Sequence, residues 1–386
     1  MGYGADAAKR AGGSGRIDLR SDTVSHPTPE MRRAMASAEV GDDVFEDDPT
    51  VIELEARAAD LLGKEAGLFV ASGTMGNLVS VMAQVPRGGE IITPAEGHIP
   101  NDEAANYAVV AGAGLRVVHE RPSGEMPIDA VVEAIQDSSD PHSAITSLVV
   151  VENCHAHTFS RPIGTAYMKE LRAALKPAGI PIHVDGARLF NAVVALGVSA
   201  RELVEEAQSV TFCLSKGLAA PIGSVVVGDR DFIWRARRAR KVLGGGMRQV
   251  GILAAAGLVA LSDGPEGTIK RLAEDHVNAR VLAEALADMD GIVSPGHNAQ
   301  PEGDRLDPNR VVTNFVIFKV EGGLARRQRF LDELAKRGVL MVAYTHGQIR
   351  AVTHYGVDEA DIDRERDRTR AGDEEYDDAD LLRASS

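Results

Sequence analysis

Cysteine is almost absent from this sequence, which has only Cys154 and Cys213 among its 386 residues. Two cysteines cannot supply a disulfide framework, so we expect a reducing compartment and a cytoplasmic location. Long apolar runs are missing too, and no stretch approaches the ~20 residues that a membrane-spanning helix needs. Residues 1–16 lack the apolar centre of a signal peptide, and we interpret them as a flexible leader.

Basic blocks are absent as well, and the formal net charge is −15. This balance argues against a nucleic-acid partner or an anionic membrane surface and favours an enzyme acting on small molecules. Twelve acidic residues and five arginines crowd residues 357–386. The apolar spacing of a packed helix ends at Ile362, so we predict an acidic, disordered tail over residues 364–386.

Several catalytic signatures are also missing. The sequence has no G-x-x-x-x-G-K-[ST], no H-E-x-x-H, and no G-x-G-x-x-G behind a strand. The motif "NCHAH" offers Cys154, His155 and His157, but no second cluster completes a set of ligands. We therefore predict no metal site.

What the sequence does contain is a regular alternation of short apolar runs and longer helical patterns. Several runs are continuous in Val, Ile and Leu, as in strands that are buried on both faces of a parallel sheet. The predicted strands are 67–71, 90–94, 115–120, 145–153, 180–186, 210–215 and 223–229, with helices at 165–179 and 199–209 among the connections. This pattern predicts an α/β fold: a large domain over residues 17–262 with a mostly parallel seven-stranded sheet between helices. A smaller α+β domain is predicted over residues 263–363.

Lys216 lies directly after one of these strands, in "FCLSKGLAAPIGS". Open α/β sheets bind ligands at the carboxyl ends of their strands, and the small residues after Lys216 leave room for a flat molecule. An amine bound as a Schiff base to an aldehyde cofactor exchanges readily with a substrate amine. Lys216 is therefore a candidate tether, and a surface lysine at a strand end is the alternative.

Two further segments fit the same cofactor. Asp185 ends a buried strand, where a carboxylate needs a partner, and a protonated pyridine nitrogen would supply one. Arg188 follows one helical turn later, although Asp185 could instead be a helix N-cap. The segment Ser72, Gly73 and Thr74 opens a helix after a strand, and backbone N–H groups at such a start attract phosphate. Together the three segments predict a pyridoxal 5'-phosphate site.

The order of these and other motifs resembles that of the low-specificity L-threonine aldolases, which are fold-type I pyridoxal-phosphate enzymes. The similar segments include "DLRSDTV", "GDDVFEDDPTVIELE", "ASGTMGN", "HVDGARLFNA", "CLSKGLAAPIGS", "GGGMRQ" and "IRAVTHYGV". They run in order from about residue 17 to residue 363. The resemblance implies cleavage of L-threonine, L-allo-threonine and other β-hydroxy-α-amino acids to glycine and an aldehyde.

The resemblance also implies a role for each matching residue. Lys216 would hold the cofactor covalently, Asp185 would pair with its ring nitrogen, and Gly73 and Thr74 would hold its phosphate. Arg188 would approach the ring oxygen or the substrate carboxylate, which Ser21 and Arg350 would grip. His98 would stack on the ring, and His155 would reach the substrate hydroxyl. Lys241 and Arg248 match a basic pair at a site shared between subunits, which implies a homotetramer built as a dimer of dimers.

Two segments depart from the family pattern. Phe45 and Glu46 stand where the family usually has Tyr-Gly, and "IPNDEAANY" follows His98. Substrate preference therefore stays open, as does the choice between His98, His155 and a bound water as general base. A β-eliminating lyase or an aminotransferase would use the same lysine and aspartate. A non-catalytic assembly protein of the same fold is the third alternative.

Overall fold

The computed structural model describes residues 16–264, 267–296 and 304–362. The predicted leader up to residue 15, Pro265 at the predicted domain break and the predicted acidic tail lie outside these ranges. Within them, every helix is too short or too polar to cross a membrane.

The described chain contains strands and helices that follow the predicted alternation. The strands are β1 (Ile17–Asp18), β2 (Ala66–Val70), β3 (Gly89–Pro94), β4 (Gly114–Val118), β5 (Ile145–Glu152), β6 (Ile182–Gly186), β7 (Ser209–Cys213), β8 (Ser224–Gly228), β9 (Ile292–Val293), β10 (Phe315–Val320), β11 (Val339–Leu340), β12 (Val342–Ala343) and β13 (Ile349–Val352). The α-helices are α1 (Pro29–Ala36), α2 (Pro49–Leu61), α3 (Gly73–Gln84), α4 (His98–Asp102), α5 (Asn106–Val109), α6 (Ile128–Ala134), α7 (Thr165–Leu175), α8 (Leu189–Leu196), α9 (Ala200–Leu203), α10 (Arg230–Val242), α11 (Gly251–Ala260), α12 (Leu272–Ala287) and α13 (Gly323–Lys336).

Seven strands form one central sheet in the order β2-β8-β7-β6-β5-β3-β4. The neighbours from β7 to β4 pair in parallel, and β8 runs antiparallel to both β7 and β2. Strands β6, β7 and β8 are buried along their whole length, as their continuous apolar runs predict. The predicted α/β architecture with a mostly parallel seven-stranded sheet is confirmed.

The predicted helix over residues 199–209 is wrong in length, because the helix covers only Ala200–Leu203. A capping box between Ser199 and Glu202 starts it. The amine of Lys64 donates hydrogen bonds to the carbonyl oxygens of Val204 and Ala207, at 2.9 and 2.6 Å. These carbonyls are therefore bound outside a helix, and the chain turns directly into β7.

Two large hydrophobic clusters organise the packing. The larger one lies around the central sheet. The smaller one contains the inner faces of β10 and β13, together with Ile17 and Leu19 from the start of the described chain. Strand β1 pairs in parallel with β11, so this N-terminal segment crosses to the smaller sheets. The crossing carries the residues after Leu19 to the edge of the central sheet, and the predicted domain limits stay a prediction.

The loop between β7 and β8, which carries Lys216, depends on unusual backbone conformations. Ala219 has φ of 62° and Gly223 has φ of 100°. A Cβ atom on Gly223 would collide with the ring of Phe69. The backbone N–H of Leu214 donates to the carbonyl of Gly223 at 3.0 Å, which closes the loop. Glycine at 223 is needed for both its φ and its closeness to β2.

Gly223→Ala is expected to lower the free energy of unfolding by about 2–4 kcal/mol, from backbone strain and overpacking against Phe69. Urea unfolding followed by circular dichroism measures this change. Gly88→Ala is the matched control, because Gly88 has φ of 83° with no atom within 4 Å of a built Cβ. Its expected cost is about 1 kcal/mol. Equal costs at the two positions would contradict the role given to the contact with Phe69.

Candidate active site

The carboxyl ends of the parallel strands bring the predicted site residues to one edge of the central sheet. Ser72 follows β2, His98 follows β3, His155 follows β5, and Lys216 follows β7, while Asp185 is the penultimate residue of β6. Parallel strands end at the same edge, so five segments far apart in the sequence become neighbours.

Asp185 is a buried carboxylate without a bonded cation among the described residues. Its Oδ2 accepts a 2.8 Å hydrogen bond from Asn77 Nδ2, and its Oδ1 accepts from the backbone N–H of Ala187 at 3.2 Å. Burial raises the pKa of Asp185 to about 6, and the carboxylate of Glu152 adds to the rise. Glu152 is its neighbour in the β5–β6 register. A carboxylate so placed would gain from an incoming cationic group.

His98 opens helix α4 beside Asp185. Its Nδ1 lies 2.9 Å from Glu103 Oε1, and its backbone N–H donates to Glu152 at 2.7 Å. Burial alone would lower the pKa of His98, but Glu103 and the nearby carboxylates of Asp185 and Glu152 raise it overall. Ligand atoms of His98, Glu103 and Asp185 all lie within 4.8 Å of one another. A hydrogen bond joins His98 to Glu103, and Asn77 donates to both Glu103 and Asp185. The predicted lack of a metal stays a prediction.

Lys216 is held by its backbone while its amine stays available. The hydroxyl of Ser25 and the N–H of Ala219 donate to its carbonyl at 3.1 and 2.8 Å. Within the described ranges, its Nζ makes no hydrogen bond. The charge of Lys216 lowers the pKa of both Asp22 and Asp185.

The predicted phosphate seat is the start of helix α3. The Ser72 side chain caps the helix by accepting from the N–H of Met75 at 3.1 Å. A Cβ on Gly73 would lie 2.8 Å from the Cys213 sulfur, so only glycine lets the helix start so close to the end of β7. The first N–H groups of the helix, at Gly73 and Thr74, have no carbonyl partner within the helix. They form an anion seat next to the Lys216 loop.

These features fit pyridoxal phosphate. The buried carboxylate of Asp185 suits a protonated ring nitrogen, the amine of Lys216 is free to bond an aldehyde, and the start of α3 suits a phosphate. The three chemical demands of the cofactor are met by three separate groups at one sheet edge.

Arg188 forms a buried ion pair with Asp22. Its Nε and one terminal nitrogen donate to the two carboxylate oxygens at 2.7 and 2.6 Å. Burial would raise the pKa of Asp22, but Arg188 outweighs burial and lowers it to about 2. Asn314 also donates to Asp22, at 3.3 Å. Arg188 is therefore already paired, and its predicted contact with ring or substrate stays a prediction.

Arg350 and Ser21 lie at the same place as this ion pair. Arg350 donates to the carbonyl of Arg20 at 3.0 Å, and its guanidinium lies 4.9 Å from the Tyr344 ring centre. Its guanidinium also lies 5.4 Å from the Phe315 ring centre, and the Arg188 guanidinium lies 4.5 Å from the same centre. Ser21 caps the short turn that contains Asp22, accepting from the N–H of Thr23 at 3.3 Å.

His155 is enclosed by the surrounding chain in the described structure. Its side chain is 0% exposed, and neither ring nitrogen has a hydrogen-bond partner among the described residues. Its Nε2 lies 3.6 Å from Glu120 Oε1. The neighbouring His157 instead stacks on Tyr344, with ring centres 4.8 Å apart. The prediction that His155 reaches a substrate hydroxyl therefore stays untested.

Lys241 and Arg248 lie apart from Lys216 in the described chain. Lys241 is exposed near the end of α10, beside Val242. Arg248 pairs with Asp42 and lies 5.7 Å from the ring centre of Phe45. Among the described residues, neither forms a hydrogen bond or ion pair with Lys216 or Asp185, and the predicted shared site stays a prediction.

Sequence reasoning missed five residues of the site. The contacts above add a buried amide, three acids and an aromatic side chain: Asn77, Asp22, Glu103, Glu152 and Tyr344. Asn77 is one helical turn beyond Gly73, so helical spacing could have identified it. The other four face the site through tertiary contacts, which leave no local pattern.

Comparison with known proteins agrees with this geometry. A sequence profile described as beta-eliminating lyase matches residues 18–307. Low-specificity L-threonine aldolase 1 of Arabidopsis thaliana is 41% identical over 90% of this chain and 93% of its own length. The low specificity L-threonine aldolase of Escherichia coli K12 is 45% identical over 70% of this chain and 79% of its own length. A threonine aldolase structure from Leishmania major superposes with a TM-score of 0.75, at 16% identity over 92% of this chain and 99% of that one, which supports the fold.

Asp185→Asn is expected to stabilise the cofactor-free chain at neutral pH. The folded pKa of about 6 lies above the ordinary 3.8, so the native carboxyl costs no stability below pH ~4 and its full cost appears above pH ~6. The stability of wild type relative to the variant should therefore fall by about 1–3 kcal/mol between pH 4 and 7. Urea unfolding at several pH values measures it, with the exposed Asp332→Asn as control. A difference that does not change with pH would contradict this electrostatic account.

Proposed function

We propose that this chain, which belongs to the beta-eliminating lyase family, is a threonine aldolase that cleaves L-threonine to glycine and acetaldehyde. It is a pyridoxal-phosphate-dependent lyase, as its family and its aldolase relatives indicate. The observation that carries the proposal is the placement of Lys216 and buried Asp185 at one sheet edge, beside the start of helix α3. We extend it to L-allo-threonine and other β-hydroxy-α-amino acids.

The cofactor would be held by the groups that fit it. Lys216 would bind its aldehyde, Asp185 its ring nitrogen, and Ser72, Gly73 and Thr74 its phosphate. His98 lies beside Asp185 and would cover one face of the ring. When bound, pyridoxal phosphate supplies an electron sink for the bond broken at the substrate α-carbon.

The substrate carboxylate would lie between Ser21 and Arg350. Arg350 has no ion-pair partner among the described residues, whereas Arg188 is paired with Asp22. The Asp22–Arg188 pair also fixes the turn that holds Ser21. Two anchors on the carboxylate set the torsion about the substrate N–Cα bond, and this torsion decides which bond is held for cleavage.

The proton of the substrate hydroxyl needs a base, and we propose His98 for this role. Its Nδ1 is bound to Glu103, which leaves Nε2 for a substrate or a water. His155 is enclosed, and in this proposal it would act only through a water or after a movement of its loop. His98 is therefore the base that the geometry favours.

Replacing Lys216 with Ala is expected to lower the rate of glycine formation by on the order of 10³-fold or more, since the covalent anchor is lost. After borohydride reduction and denaturation, the wild-type chain should keep a covalently attached cofactor, and the Lys216→Ala chain should carry none. Assays of glycine and acetaldehyde from L-threonine measure the first effect, and mass spectrometry the second.

The exposed Lys169→Ala variant is the control and should keep full activity. Retention of turnover and fixed cofactor in Lys216→Ala would contradict the proposal. A keto acid in place of glycine and aldehyde would instead indicate a β-eliminating lyase or an aminotransferase. Failure of the native chain to bind the cofactor would favour a non-catalytic assembly protein.

We also propose a homotetramer, built as a dimer of dimers in the cytoplasm. An exposed patch supports the assembly: Phe45 and Val242 are 73% and 76% exposed, and Lys241 and Arg248 lie among them. The built Cβ of Gly246 lies 3.5 Å from Lys241 Nζ and 3.8 Å from Val44, which joins the patch into one surface. Lys241 and Arg248 would reach the cofactor of a neighbouring subunit. Both cysteines are buried free thiols, which suits a reducing compartment.

Phe45→Asp is expected to dissociate the assembly, because it places a charge in an apolar contact. Sedimentation velocity should show a mass reduced at least twofold. Val109→Asp, at a side chain that is 77% exposed on helix α5, is the control and should keep the native mass. A monomeric native protein with full activity would contradict the shared site.

A further inference from the structure

Asn77 forms a bridge between the two acids that flank the cofactor seat. Its Nδ2 donates to Asp185 Oδ2 and to Glu103 Oε1, both at 2.8 Å. The same Glu103 oxygen is bound to His98 Nδ1 at 2.9 Å. The side chain of Asn77 is buried, so water does not compete for these bonds. One amide therefore contacts both the partner of the ring nitrogen and the acid that orients the ring-facing imidazole.

The orientation of this amide is fixed from its other side. Its Oδ1 lies 3.3 Å from His183 Nε2, and His183 Nδ1 lies 2.8 Å from Ser209 Oγ. Burial lowers the pKa of His183 to about 3, so the ring is neutral and carries one proton. That proton belongs on Nε2, because Oδ1 of Asn77 is an acceptor.

Gln84 determines which way the Ser209 hydroxyl donates. Its Nε2 donates to Ser209 Oγ at 2.9 Å, which leaves the serine proton for His183 Nδ1. The bonds therefore run from Gln84 through Ser209, His183 and Asn77 to the two carboxylates. Reversing the amide would break the bonds to both Asp185 and Glu103, so both N–H groups stay directed at the acids.

Gly76 explains how Asn77 reaches so far into the sheet. A Cβ on Gly76 would lie 2.5 Å from Thr211 Cγ2 on strand β7. Helix α3 can therefore approach the sheet more closely than a helix with any side chain at this point. The approach brings the amide of Asn77 within hydrogen-bond distance of Asp185.

We propose that Asn77 is a positioning residue that holds Asp185 and His98, the latter through Glu103, in one fixed arrangement around the cofactor ring. This inference rests on the proposed function, since it assigns Asn77 to the same cofactor. Asn77 does not contact the reacting atoms itself. It fixes Asp185, the proposed partner of the ring nitrogen, relative to His98, which would cover one face of the ring. Two side chains without this bridge could move independently of each other.

Asn77→Leu removes the amide at similar volume, and its dissociation constant for pyridoxal phosphate is expected to rise about tenfold or more. The visible circular dichroism per mole of bound cofactor should fall by half or more, because the ring is held less firmly in its asymmetric site. Equilibrium dialysis and visible circular dichroism measure the two effects on full-length protein. Asn77→Asp is the second variant, since it keeps the shape and replaces both donors by acceptors.

Asn278→Leu is the matched control, because Asn278 is another buried amide and donates to the carbonyl of Val357 at 3.1 Å, away from the cofactor seat. It should lower the unfolding temperature but leave cofactor affinity and visible dichroism unchanged. Asn77 variants that lose only unfolding temperature, with affinity within twofold of wild type and the same dichroism, would overturn the inference. Failure of the wild-type chain to bind pyridoxal phosphate would instead overturn the proposed function.

Discussion

The burial of one acid, Asp185, is the constraint on which the rest of this site depends. A carboxylate at the end of a fully buried strand is unfavourable without a partner, and within the described ranges Asp185 accepts hydrogen bonds only from neutral donors. Nearby Glu152 and Glu103 increase the cost. The site is therefore electrostatically unfavourable by itself, and in our proposal a cationic ring would pair with Asp185.

Asp22, a second buried acid near this edge of the sheet, differs from Asp185 because it has a cationic partner. Asp22 and Arg188 satisfy each other completely, and Asn314 adds a further bond. The pair joins three segments: the N-terminal crossing, the turn after β6 and the start of β10. Because Asp22 pairs with Arg188, the Arg350 guanidinium has no ion-pair partner among the described residues. In our proposal Asp185 would bind a cationic ring and Arg350 would bind the carboxylate of an amino-acid substrate.

Much of the fold followed from local sequence patterns. Short apolar runs, several of them continuous, identified all seven strands of the central sheet, and their ends located Lys216, Asp185 and the start of helix α3. Local patterns failed where a distant group determined the outcome. The helix after Ser199 ends at Leu203, and Lys64, which is far away in the sequence, donates hydrogen bonds to the carbonyls of Val204 and Ala207 that follow it. The enclosure of His155 and the pairing of Arg188 with Asp22 depend on segments that only tertiary packing brings together, so residue type alone could not reveal them.

The missing side chain at Gly76 has a consequence for how this site can change. The same helix carries the phosphate seat at its first turn and the amide of Asn77 at its second. The close contact between Gly76 and Thr211 therefore limits the distance between helix α3 and strand β7, and so helps to position both the first turn of the helix and Asn77. A larger residue at position 76 would push helix α3 away from strand β7 and would displace both the first turn of the helix and Asn77. A smaller residue on strand β7 would be needed to compensate. We therefore expect substitutions at positions 76 and 211 to be correlated among related sequences. Positions on the outer surface of the helix are not under this constraint.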